Sequence, residues 1–89
     1  MAELIHAYPP TLHDDGTAYK ARIYGVERND GTWEGWLEFH PTDGQKPILR
    51  TGQETSQPNR TTIEYWALGL EPVYFDGALA RAKSRLPEL

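Results

Sequence analysis

The chain contains no cysteine and a single methionine. Without thiols there are no disulfide staples and no thiolate metal sites, so the fold rests on its core. No apolar run approaches the roughly 18–20 residues that a membrane-spanning helix needs. The opening Met1-Ala2-Glu3-Leu4-Ile5-His6 lacks the basic stretch and apolar core of a secretory signal. The expectation is a soluble, cytoplasmic protein with no membrane association. Serine is scarce as well. Ser56 and Ser84 are the only two, and no motif ties a histidine to either, so no serine nucleophile is legible. The glycines form no phosphate loop, and there is no repeat or low-complexity tract. Nothing calls for a cofactor.

A basic excess is also missing. The formal net charge is −4, whereas proteins that grip phosphate backbones usually carry a basic face that releases counterions. Residues 1–45 hold three Lys/Arg against eight Asp/Glu, and residues 46–89 hold six against five. Only the last helical segment, with Arg81, Lys83 and Arg85, is locally basic. Cations there complement a helix C-terminus, a simpler account than an acidic partner. Nucleic-acid binding is therefore disfavoured.

What is present is enough for one small domain. A chain of 89 residues buries roughly 60–65% of the surface its unfolded form exposes. Residues 1–16, with Pro9-Pro10 and Asp14-Asp15-Gly16, show no sustained period and read as an extended arm on which Ile5, Tyr8 and Leu12 are available for docking. Residues 17–86 read as a single α+β domain, and 87–89 as a tail.

From Thr17 the chain alternates. Tyr19, Ala21 and Ile23 share one face, with Lys20, Arg22 and Tyr24 on the other; Trp33, Leu37 and Phe39 oppose Glu34, Trp36 and Glu38. Period-two patterning marks half-buried strands. Two Asp-Gly turns set the register, because a three-residue loop ending in glycine suits a type I turn followed by a left-handed residue. With 29–31 as the loop, Tyr24 faces Trp36, Ile23 faces Leu37, Arg22 faces Glu38 and Ala21 faces Phe39. A two-residue loop would set Ile23 against Glu38, since a one-residue slip flips every side chain. With Thr42-Asp43-Gly44 as the second loop, Leu37 faces Leu49, Trp36 faces Arg50 and Glu38 faces Ile48. The third strand then spans about 46–51.

Residues 52–60 read as a polar loop. Thr61-x-x-Glu64 reads as a capping box opening a helix over 61–69, whose Ile63, Trp66, Ala67 and Leu70 form one apolar stripe. Beyond Glu71-Pro72 two readings stay open. Either a helix starts at Pro72, or Val73-Tyr74-Phe75 is extended and Asp76 caps a helix from Gly77 to Arg85. The second is preferred, because β-branched and aromatic residues followed by glycine start a helix poorly. The expected fold is thus α+β: a three-stranded antiparallel meander packed on one face by a helix, with a second short C-terminal helix and an extended N-terminal arm.

The strings Asp30-Gly-Thr-Trp-Glu-Gly-Trp-Leu-Glu-Phe39, Thr55-Ser-Gln-Pro-Asn-Arg60 and Glu64-Tyr-Trp-Ala-Leu-Gly-Leu-Glu-Pro-Val-Tyr-Phe75 resemble a family of small bacterial, notably cyanobacterial, proteins of unknown function. The resemblance covers about residues 17–82. It implies a bacterial cytoplasmic protein and carries over no catalytic residue. The order strand-strand-strand-helix is also similar in layout to plant-type DNA-binding domains, but Glu34 and Glu38 on the corresponding face would repel phosphate.

Two candidate sites emerge. The first is the polar sheet face, where Tyr24 pairs with Trp36, Arg50 lies against Trp36 as a cation–π partner and Arg22 stands opposite Glu38. Trp, Tyr and Arg are the residues enriched at interface hot spots, so this face reads as the surface of a non-catalytic interaction module that binds a protein partner or forms a homodimer. On this reading Trp36→Ala weakens the contact and leaves stability nearly unchanged. The blander account is that the cluster merely holds the sheet together, or that the arm covers it. The second candidate is a small-molecule or enzyme site on the 51–60 loop, using Glu54, Gln57, Arg60 and Tyr65. No nucleophile there has an identifiable base, and local side-chain to backbone bonds explain the loop's polarity equally well. His6, His13 and His40 match no tight chelation spacing, so no metal site is expected.

Overall fold

The computed structural model describes residues 1–85; the expected domain end at Leu86 and the expected tail 87–89 lie outside the described residues. The fold is α+β, with two helices laid on one face of a five-stranded antiparallel sheet. In chain order the elements are β1 (Glu3–Asp14), β2 (Thr17–Glu27), β3 (Trp33–Pro41), β4 (Leu49–Arg50), β5 (Thr55–Gln57), α1 (Arg60–Leu68) and α2 (Pro72–Lys83). The sheet order is β1-β2-β3-β4, and β5 pairs with β3 beyond the end of β4.

The central hairpin follows the expected register. Ala21, Ile23 and Tyr24 stand opposite Phe39, Leu37 and Trp36, and Arg22 opposite Glu38. The loop at 29–31 closes with Arg28 N–H donating to Thr32 O at 2.7 Å and Gly31 taking φ +89°. The sequence signals were local and mutually consistent there.

Residues 1–16 are not an arm but mostly strand β1, antiparallel to β2. The link is Asp15-Gly16, whose φ values of +49° and +80° give the two-residue hairpin turn that Asp-Gly favours. The register shift between Ala7 and Thr11 absorbs Pro9-Pro10, a second lies between Leu4 and His6, and prolines are tolerated there because β1 is an edge strand. Ile5, Tyr8 and Leu12 dock on the core as anticipated; the Tyr8 and Phe75 rings stack at 3.7 Å.

The second hairpin is two residues out of the expected register: Glu38 faces Arg50 and Phe39 faces Leu49. Gly44 N–H closes the turn on Pro41 O, and Gln45 N–H is taken by Asp43 Oδ1. Pro47 has no N–H to give. Pairing therefore resumes only at Leu49, and β4 is two residues long rather than six. A slip of two preserves the faces, so Leu49 remains in the core. The 52–60 segment is also more ordered than a loop. Thr51 is fully buried, exchanging bonds with the Leu37 backbone through its N–H and its hydroxyl. The chain then re-pairs as β5, with Thr55 opposite Gly35 and Gln57 opposite Trp33.

Helix α1 starts earlier than the Thr61 box requires. Asn59 is the cap, its Oδ1 accepting from Thr62 N–H at 2.9 Å, and asparagine ranks above threonine at that position. Residues 72–76 are helical, with Pro72 in the first turn of α2 and Asp76 inside the helix instead of capping it. Burial decides against propensity here: Phe75, Ala78, Leu79 and Ala82 line one buried face and close the core against Tyr19, Ala21, Ile23, Leu37, Phe39 and Leu49.

Candidate interaction face

Both helices cover the Ile23–Leu37–Phe39 side of the sheet. The opposite face presents Lys20, Arg22 and Tyr24 from β2, Glu34, Trp36 and Glu38 from β3, Arg50 from β4, and the preceding Ile48. Its centre is an ordered stack. Tyr24 and Trp36 lie nearly parallel, with centroids 6.3 Å apart and planes 18° apart. The Arg50 guanidinium carbon sits 4.1 Å from the Trp36 centroid, reaching it diagonally because Arg50 is paired with Glu38. Trp36 is consequently only 6% exposed, although no helix covers it. It is a supporting floor rather than an exposed anchor.

The carboxylates on this face are engaged. Glu38 accepts from Trp36 Nε1 at 3.1 Å and is held by His40 Nε2 at 3.0 Å. Glu34 lies 3.7 Å from Arg28, whose guanidinium also donates to Ser56 Oγ and Gln53 Oε1, each at 2.8 Å. Lys20 Nζ donates to Pro9 O. Arg22 and Arg50 have no carboxylate within ion-pair distance among the described residues. Leu4 and Ile48 flank the stack, about half exposed at 50% and 53%.

The second candidate set is dispersed. Arg60 bonds Glu64 along α1 and Glu3 of β1 at 2.7 Å. Gln57 donates to Thr55 Oγ1. Tyr65 is 82% exposed on the outer side of α1. Glu54 turns toward α2, accepting from Tyr74 Oη at 2.5 Å and from Arg81 at 2.6 and 3.0 Å. Burial works to raise the Glu54 carboxyl, but the bonds from Arg81 and Tyr74 outweigh it and hold it below its ordinary value. Burial, then the bond to Glu54, pushes the Tyr74 phenol up to about 12. Gly77 leaves room for the Arg81 guanidinium, which would stand 3.1 Å from an added Cβ. This clamp between the sheet edge and α2 was not legible in the sequence, because it requires residues 54, 74 and 81 to meet through the topology.

Ser56 accepts from Arg28, and Ser84 Oγ donates to Arg81 O. Among the described residues no group of three or more His, Asp or Glu side chains is placed to hold a metal, and no helix is long and apolar enough to cross a membrane.

No family model, curated protein or solved structure matches this chain.

Shallow grooves mark the surface of the described residues. One of about 330 Å³ lies between the end of β1 and α2, lined by His13, Asp14, Asp76, Leu79, Ala80 and Lys83. Its Asp14 and Lys83 bond each other at 2.6 Å, so those two charges are spent on each other. A second, of about 180 Å³, shares that pair. A third, of about 200 Å³, adjoins the stack and is lined by Ile48, Arg50, Ala82 and Arg85.

Proposed function

We propose that this protein is a small, non-catalytic cytoplasmic interaction module that binds a protein partner on the uncovered face of its sheet. One observation carries the reading: both helices pack on the same side, and the other side holds a pre-ordered stack of Tyr24, Trp36 and Arg50 with Arg22 beside it. A surface whose aromatic floor is fixed before binding loses little entropy on docking. Arginine and tyrosine are the side chains that dominate interface energetics. Leu4 and Ile48 supply apolar contact at its margins. The alternative, a small-molecule or catalytic site on the 51–60 loop, gains no support, since Glu54, Gln57, Arg60 and Tyr65 each engage different neighbours or solvent.

The test is site-specific photo-crosslinking in cells. A photoreactive residue replaces Ile48 on the sheet face, or Val73 on the helical side, which is 74% exposed. A discrete adduct from position 48 and none from 73 supports the reading, and its mass separates a second copy of this chain from another protein. Adducts from 73 alone, or from neither position, reject it.

A further inference from the structure

Resting on that reading, we infer that the uncovered face receives an acidic segment of a partner protein, whose carboxylates are taken by Arg22 and Arg50. Arg22, Glu38 and Arg50 form one row across β2, β3 and β4. At the usual spacing between strands, the two arginines start roughly 10 Å apart. The glutamate between them forms an ion pair with neither, because its carboxylate turns to Trp36 Nε1 and His40. Glu34 is likewise spent on Arg28.

The sign of the face follows. It carries Lys20, Arg22 and Arg50 against Glu34 and Glu38, with Glu34 paired to Arg28, within a chain whose net charge is −4. A cationic face on an acidic molecule selects an anionic partner over a copy docking through the same face. A two-fold contact with its axis near this row would bring the same two arginines together, and like charges across an interface oppose association.

Arg50 suits a carboxylate in particular. Arg50 lies over Trp36 at 4.1 Å, and a guanidinium that packs its flat face on a ring keeps its in-plane N–H groups for a bidentate carboxylate. The groove of about 200 Å³ lined by Ile48, Arg50, Ala82 and Arg85 continues the surface. Arg85 Nη1 donates to the Arg50 carbonyl at 3.4 Å, so a second guanidinium borders the groove together with Ile48. Acidic residues interleaved with an aliphatic one match this arrangement. Nucleic acid matches it less well, because Arg50 covers the ring that a base would stack on and two carboxylates share the surface.

The experiment titrates the full ¹⁵N-labelled chain with a synthetic peptide of Glu-Ser-Leu-Glu repeats, the same peptide with Gln for Glu, and oligothymidylate. It follows the Nε–H signals of Arg22 and Arg50 and the Nε1–H of Trp36. The Glu peptide is expected to move all three saturably and the Gln peptide to leave them in place. Arg22→Gln with Arg50→Gln is expected to weaken the Glu peptide about tenfold, with the rest of the spectrum unchanged. Equal binding of the Gln peptide on these residues overturns the acidic preference and leaves the face as an interface. A stronger response to oligothymidylate overturns it in favour of nucleic acid. No response at the three signals to millimolar Glu peptide also overturns it, while an adduct at position 48 keeps the interaction reading standing.

Discussion

Arg22 and Glu38 stand directly opposite each other on β2 and β3 and form no ion pair. The Glu38 carboxylate turns along its own strand to Trp36 Nε1 and His40 Nε2. Their contributions to stability should therefore differ. Arg22→Ala is expected to shift unfolding free energy by less than about 0.5 kcal/mol, as for an unpaired surface residue. Glu38→Ala should cost about 1–2 kcal/mol, because it strands the indole N–H of a buried tryptophan. Urea unfolding of the two variants decides it; equal costs would mean that the cross-strand pair holds the sheet after all.

Trp36 belongs to the structure before it belongs to any partner. With 6% of its surface exposed, between Tyr24 and Arg50, Trp36→Ala should lower stability by about 3 kcal/mol. Sequence reasoning expected almost no change, since a tryptophan on the uncovered face reads as an exposed anchor. Thermal unfolding separates these outcomes. A melting temperature within a few degrees of the parent would restore Trp36 as a contact residue, whereas a large drop makes Arg22 and Arg50 the positions at which to probe binding.

The legible parts of the fold were those where short-range signals agree. Alternation and the Asn29-Asp30-Gly31 loop fixed the β2–β3 register pair by pair, and the stripe of Ile63, Trp66, Ala67 and Leu70 marked α1. The misses have physical causes. Asp15-Gly16 is a strong hairpin signal, but Pro9-Pro10 breaks the alternation before it and disguises β1. Pro47 and the Asp43 side chain remove amides from the second hairpin, which moved its register by two. The start of α2 is decided by Phe75 stacking on Tyr8, a contact between residues far apart in the chain that no local propensity reports. The same holds for the site. The Tyr24–Trp36 pair was readable from register. Arg50 was expected directly opposite Trp36 by a register two residues out, and it reaches the ring diagonally. The diversion of Glu38 and the Glu54 clamp depended on side-chain geometry.

Gly35 and Gly25 face each other across β3 and β2, and Ile63 of α1 fills the notch they leave. A Cβ on Gly35 would lie 2.9 Å from Ile63 Cδ1 and 3.0 Å from Thr55 Cγ2. Gly35→Ala is expected to cost about 1–3 kcal/mol through overpacking. Ile63→Val removes the Cδ1 methyl and alone should cost about 1 kcal/mol. If the notch is the cause, the double variant loses less than the sum of the two, a coupling that a double-mutant cycle reads directly. Simple additivity would place the cost of Gly35→Ala elsewhere.

The Glu54–Tyr74–Arg81 clamp makes stability depend on pH at both ends. Glu54 titrates below its ordinary 4.5 in the folded chain. Its contribution is therefore complete above that value and is lost as pH falls through the lower folded pKa. Tyr74 has the opposite sense. Its folded pKa of about 12 lies above the ordinary 10.0, so the neutral phenol is favoured by folding. That contribution is complete below pH 10 and is lost as pH rises toward about 12. Tyr74→Phe should flatten the alkaline loss and retain most of the acid loss, since Arg81 still holds Glu54; Glu54→Gln should flatten the acid loss. Urea midpoints across the pH range test both, and ultraviolet titration supplies an independent reading. A phenol ionising late, toward about 12, should be present in the parent and missing from Tyr74→Phe. If the parent and Tyr74→Phe show the same titration at high pH, the Tyr74 phenol donates to no carboxylate, and Glu54 is held by Arg81 alone.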